Sequence, residues 1–70
     1  MSPDQIDVSV VVPLLDEEAT LEELVARLKA VLSSRGGRYE IVLVDGGSRD
    51  RTREILRRLE SGDPVVRVFE

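Results

Sequence analysis

Two short runs of almost unbroken β-branched residues constrain this chain most. They are Ile6 to Val12 (I-D-V-S-V-V-V) and Tyr39 to Asp45 (Y-E-I-V-L-V-D). Near-continuous valine and isoleucine, rather than strict alternation, is the mark of strands buried on both faces in a parallel sheet. Between the runs, Leu21, Leu24, Val25, Leu28, Val31 and Leu32 recur at helical spacing as one apolar stripe. Thr20 with Glu23 fits a capping box, and Gly36-Gly37 fits a stop. Pro13 is expected to end the first strand. After the tight turn Gly46-Gly47-Ser48, a shorter helix is predicted from Asp50 to Glu60. Its inner face carries Thr52, Ile55, Leu56 and Leu59. Ser61 to Pro64 would end it, and Val65 to Phe69 reads as a third strand.

The pattern is therefore βαβαβ, an α/β fold with a parallel sheet. Right-handed crossovers and the strand order 3-2-1 would put both helices on one face. The other face of three apolar strands would then be bare, although parallel sheets are almost always covered on both sides. Residues 1–70 are thus expected to form a single partial domain, part of a larger sheet. The length agrees, because a chain of this size buries only about 60% of its unfolded surface.

Composition excludes several kinds of chemistry. With no cysteine and no histidine, the chain has no disulfide, no thiolate or imidazole metal ligand and no His-based triad. A net charge of −4 and only two aromatics, Tyr39 and Phe69, argue against nucleic-acid binding. The longest apolar run, Val10 to Leu15, is far short of the roughly 18 residues of a membrane span. Met1 to Gln5 lacks the features of a signal peptide, so a cytoplasmic setting is expected.

Ligands of open α/β sheets bind beyond the carboxyl ends of the strands. Two loops leave those ends here, Pro13 to Glu18 and Asp45 to Asp50. Asp45 closes an apolar strand and can accept a hydrogen bond from a base edge or a ribose hydroxyl. Gly46 and Gly47 allow close approach to the backbone. Ser48 and the start of the second helix offer donors and a positive dipole end to a phosphate. Ser48 and Asp50 can equally be read as helix caps. Asp16-Glu17-Glu18 can be read as acids complementing the first helix dipole. Arg49, Arg51, Arg53, Arg57 and Arg58 are expected to form a solvated face pairing with Asp50, Glu54 and Glu60. Neither a G-x-G-x-x-G nor a G-x-x-x-x-G-K-[ST] motif occurs, which disfavours dinucleotide reductases and P-loop NTPases.

Val8 to Leu21 (V-S-V-V-V-P-L-L-D-E-E-A-T-L) and Tyr39 to Thr52 (Y-E-I-V-L-V-D-G-G-S-R-D-R-T) resemble the opening of family 2 glycosyltransferases of the GT-A fold. The resemblance covers nearly the whole chain from Ile6. It implies a Rossmann-like nucleotide-binding half and transfer of a sugar from a nucleotide-diphosphate sugar to an acceptor. It places Asp45 at the base and Pro13, Leu15 and Glu17 against the nucleoside, with Gly47 in the same site. Leu15 stands where an aromatic is frequent, Asp16 where asparagine is usual, Gly46 for a second acid and Arg51 for a glycine. The family's metal-binding D-x-D and catalytic base lie further downstream and are absent from these residues. A divalent metal, Mg or Mn, is therefore expected only in a complete enzyme, none being bound by this chain. No catalytic residue is assigned, and the isolated chain is expected to be inactive. An alternative is a non-catalytic α/β module that covers its bare sheet face by self-association.

Overall fold

The structure is a computed structural model that describes residues 5–70. Met1 to Asp4, most of the segment read above as lacking a leader, lies outside the described residues. Strand β1 (Val8–Leu14) leads to helix α1 (Leu21–Arg35), strand β2 (Tyr39–Asp45), helix α2 (Thr52–Gly62) and strand β3 (Val66–Phe69). The three strands are parallel, in the order β1-β2-β3 with β2 in the middle.

Alternation along the strands sorts their side chains into two sets. Val10 pairs with Ile41 and Ile41 with Val66, while Val12 pairs with Leu43 and Leu43 with Val68. These rows join Leu21, Val25 and Leu32 of α1 and Ile55 and Leu56 of α2 in one core. Both helices therefore pack on the same face. The opposite face carries Val11, Pro13, Val42, Val44 and Phe69, with Val11 63% and Phe69 58% exposed. At its amino-terminal end that face turns polar, where Ser9 and Arg67 both engage Glu40. Among the described residues, nothing covers it.

Several boundaries differ from the sequence reading. Pro13 does not end β1 but pairs with Val44, and the strand runs on to Leu14. This is tolerated because β1 is an edge strand, where a missing N–H removes no ladder bond on the open side. The capping box does not form, since Thr20 makes no side-chain cap. A turn in which the Thr20 and Leu21 amides both donate to the Glu17 carbonyl brings the Thr20 hydroxyl to the Glu17 carboxylate, 2.9 Å away. Glu23 pairs instead with Arg27 one turn on. Gly36 ends α1 at φ +78, a conformation that favours glycine. The second helix starts at Thr52 and continues to Gly62, two residues later at each end than the pattern predicts. Beyond it, Asp63 is held by Lys29 of α1 and accepts from the Val65 amide, tying the entry of β3 to both helices.

Candidate functional site

The loops leaving the carboxyl ends of β1 and β2 are laced together. The amides of three successive residues, Asp16, Glu17 and Glu18, donate to the side chains of Ser48 (2.9 Å), Thr52 (2.8 Å) and Asp50 (3.3 Å). In return the Arg49 amide donates to the Asp16 carboxylate at 2.8 Å, and the Gly46 amide to the Leu14 carbonyl at 2.8 Å. Five cross-loop hydrogen bonds thus make one ledge from two segments more than thirty residues apart in sequence. Short side chains with an acceptor oxygen, at alternating positions after β2, are what this lacing needs. The spacing Ser48, Asp50, Thr52 was a readable signal for it that motif reasoning passed over.

Asp16 adopts φ +51, unusual for a residue with a side chain and most accessible to Asn and Asp. The turn it makes sends its carboxylate across to Arg49 rather than to the start of α1. The acids Asp16-Glu17-Glu18 therefore serve the neighbouring loop with their backbone. Asp50 accepts the Thr52 amide at 2.9 Å in the turn before the helix, but the cap position itself is held by Arg51 and no side-chain cap forms. The contact with Thr52 holds the Asp50 carboxyl below the ordinary value of 3.8.

Asp45 occupies the same row as Ile41 and Leu43, so its side chain turns to the helix-covered face, beneath the first turn of α2. One carboxylate oxygen accepts from the Ser48 hydroxyl, both lie within reach of the Ser48 amide (3.2 and 3.3 Å), and the other accepts from Arg53 Nε at 2.8 Å. The carboxylate side chain has no exposed surface. Ser48 and Arg53 together hold its carboxyl below the ordinary 3.8, more than offsetting the opposing effect of desolvation.

The structure brings four of the five candidate residues to this ledge. Leu15 is 57% exposed on the β1 side, Glu17 is half-buried beside it, and Asp45 and Gly47 lie on the β2 side. Gly47 has φ +102 with open space where a Cβ would stand, so its requirement is conformational rather than steric. Pro13, in contrast, sits on the open sheet face opposite Val44. A hollow of about 470 Å³ lined by Ile6, Arg38, Glu40, Pro64 and Arg67 lies at the other end of the strands, away from the ledge.

Four of the five arginines, Arg51, Arg53, Arg57 and Arg58, are paired, but not as the sequence reading has it. Only Arg51 to Glu54 (3.0 Å) is an anticipated pair. Arg53 goes to Asp45, Arg57 to Glu70 and Arg58 to Glu22 of α1. Asp50 and Glu60 are taken by backbone amides, those of Thr52 and Val68, and do not serve the arginines.

In a parallel α/β sheet, a polar ledge at the carboxyl ends of the strands stands where such folds bind ligands. Comparison with known proteins makes this specific. The sequence profile described as "Glycosyl transferase family 2" matches residues 9–70, and the chain belongs to that family. It is 52% identical over 64 residues to an undecaprenyl-phosphate 4-deoxy-4-formamido-L-arabinose transferase of Pseudomonas paraeruginosa, covering 90% of this chain and 19% of that protein. It is 56% identical over 64 residues to the protein of the same name from Edwardsiella ictaluri, covering 89% and 20%. An uncharacterized glycosyltransferase of Bacillus subtilis is 40% identical over 65 residues, covering 93% and 20%. The chain thus spans about a fifth of the length of these relatives.

Proposed function

We propose that this chain is the nucleotide-binding opening of a family 2 glycosyltransferase, the part that holds the nucleotide of a nucleotide-diphosphate sugar while the complete enzyme transfers the sugar to an acceptor. The observation that carries this reading is the laced ledge, which keeps the β1 and β2 loops rigid at the end of the sheet where such folds bind ligands. We read the sheet as the Rossmann-like half of a GT-A fold, its strands running 3-2-1 when counted from the β3 edge.

In this reading Leu15 supplies an aliphatic surface to the base, with Glu17 flanking the nucleoside. Asp45, an acceptor when ionised, takes a hydrogen bond from a base N–H or a ribose hydroxyl. The positive φ of Gly47 keeps the turn low beside the ligand. The amino end of α2, eleven residues long, presents its positive dipole end to the diphosphate. As the resemblance implies, a divalent cation and the catalytic base belong to the remainder of a complete enzyme.

The names of the relatives support a more specific assignment, in which the complete protein handles undecaprenyl phosphate and a 4-deoxy-4-formamido-L-arabinose. A lipid-linked substrate fits action from the cytoplasmic side, peripheral to the membrane. Among the described residues no helix is long and apolar enough to cross one. The open sheet face is assigned to contact with the rest of the enzyme and is the surface through which the isolated chain would self-associate.

The test is an NMR titration of this chain with uridine diphosphate and guanosine diphosphate. One of them should shift the amides of Leu15, Glu17 and Gly47 saturably. Leu15→Asp should weaken that response without altering the melting temperature, because Leu15 is largely exposed. A folded chain whose ledge amides ignore both nucleotides at millimolar concentration overturns the reading.

A further inference from the structure

Asp45 is the acid proposed to meet the ligand, yet its carboxylate has no exposed surface. A group with nothing exposed cannot accept a hydrogen bond from a ligand until something covering it moves. Two side chains cover it, and they differ in how firmly they are held. Ser48 is buried, and its hydroxyl is fixed from both sides, donating to Asp45 and accepting from the Asp16 amide of the facing loop. Moving Ser48 would unlace the ledge. Arg53 is 47% exposed and reaches Asp45 through Nε alone. No hydrogen bond or ion pair among the described residues engages its terminal guanidinium nitrogens. Its backbone stays in place within α2 whether or not the side chain swings away.

We propose that Arg53 is a specificity-determining latch on the nucleotide site: its Nε–H occupies the Asp45 oxygen that a ligand donor must claim, and it leaves that oxygen when a suitable donor arrives. The inference rests on the nucleotide reading above and adds to it a requirement on the ligand. The exchange replaces one N–H donor by another, so the Asp45 oxygen keeps a hydrogen-bond partner. Only a ligand presenting an N–H or O–H at that position can make it, since an ionised carboxylate has nothing to donate in return. A ligand offering only acceptors there leaves the latch closed.

The latch makes opposite predictions from a purely structural role. If Arg53 competes with the ligand, Arg53→Gln and Arg53→Met should bind the responsive nucleotide more tightly, by about fivefold if the contact has the strength of a favourable half-exposed ion pair. If Arg53 only braces Asp45, both variants should bind more weakly. Unchanged amide shifts for Asp16, Glu17 and Ser48 show that the ledge has survived each substitution. In the wild-type chain, the Arg53 Nε–H resonance should shift and lose protection from exchange on nucleotide addition, while the Ser48 amide keeps its protection. Wild-type binding with an unmoved Nε–H, and variants that bind equally or less well, refutes the latch and leaves the nucleotide reading standing. If wild type and both variants ignore both nucleotides, the nucleotide reading fails and the latch with it. Binding by the variants alone would support both.

Discussion

Thr52→Val should separate the lacing of the ledge from ordinary core packing. Thr52 is fully buried, and its hydroxyl oxygen accepts the Glu17 amide at 2.8 Å. Valine keeps the shape but removes the acceptor, leaving the Glu17 amide without its partner. Leaving one donor unpaired in a partly buried site costs about 1–3 kcal/mol. Taking about 2 kcal/mol, a domain of this size should melt roughly 8–16 °C lower. Thr52→Ser is the matched control. It keeps the hydroxyl and loses one methyl, for about 1 kcal/mol. Global stability alone would not distinguish the two mechanisms, so the deciding measurement is hydrogen exchange at the Glu17 amide. In Thr52→Val that amide should exchange roughly 30-fold faster relative to core amides such as Leu43, the equivalent of about 2 kcal/mol at 1.36 kcal/mol per factor of ten. In Thr52→Ser it should keep its relative protection. Equal loss in both variants, or no loss in Thr52→Val, would refute the claim that this hydrogen bond holds the two loops together.

Asp45→Asn should destabilise the chain by about 1–3 kcal/mol near neutral pH, measured by urea denaturation, because it weakens the contacts with Arg53 and Ser48. Asp45 has its carboxyl lowered in the folded state, so its stabilisation is complete above the ordinary 3.8 and disappears as pH falls through the lower folded value. The wild-type chain should therefore lose stability below about pH 4 more steeply than Asp45→Asn, although Asp50 and Asp63, lowered in the same direction, keep some slope in both. Gly47→Ala should cost about 1–2 kcal/mol in thermal melts through its positive φ, with no clash to relieve. Val11→Thr on the open face should leave stability within about 0.5 kcal/mol, whereas Leu43→Ala in the core should cost about 2–5 kcal/mol. Similar losses for the two would contradict the assignment of faces.

The elements were legible because each has a local cause. The run Tyr39 to Asp45 is the observed β2 without change of boundary, and the apolar stripe from Leu21 predicts α1 up to its glycine stop. The open sheet face is legible too, because right-handed crossovers between strands that progress in one direction put both helices on the same side. Pro13 was misread because its tolerance depends on β1 being an edge, a property of neighbours rather than of the residue. The arginine pairings were misread for a similar reason. Spacing within one helix finds Arg51 with Glu54, but Arg53 with Asp45 and Arg58 with Glu22 need the packed arrangement of separate elements.

Local sequence is enough to set the order of strands and helices, the parallel sheet and the two loops that could hold a ligand. Backbone propensity and apolar periodicity act over a few residues, and both can be read along the chain. How those loops meet is set by packing: Ser48, Asp50 and Thr52 receive the three amides of Asp16 to Glu18, and Asp45 lies buried under Arg53. A short side chain can satisfy a nearby backbone group just as well as a distant one. The choice between them is made by where the packed sheet and helices bring the second loop, and that placement is a property of the whole core.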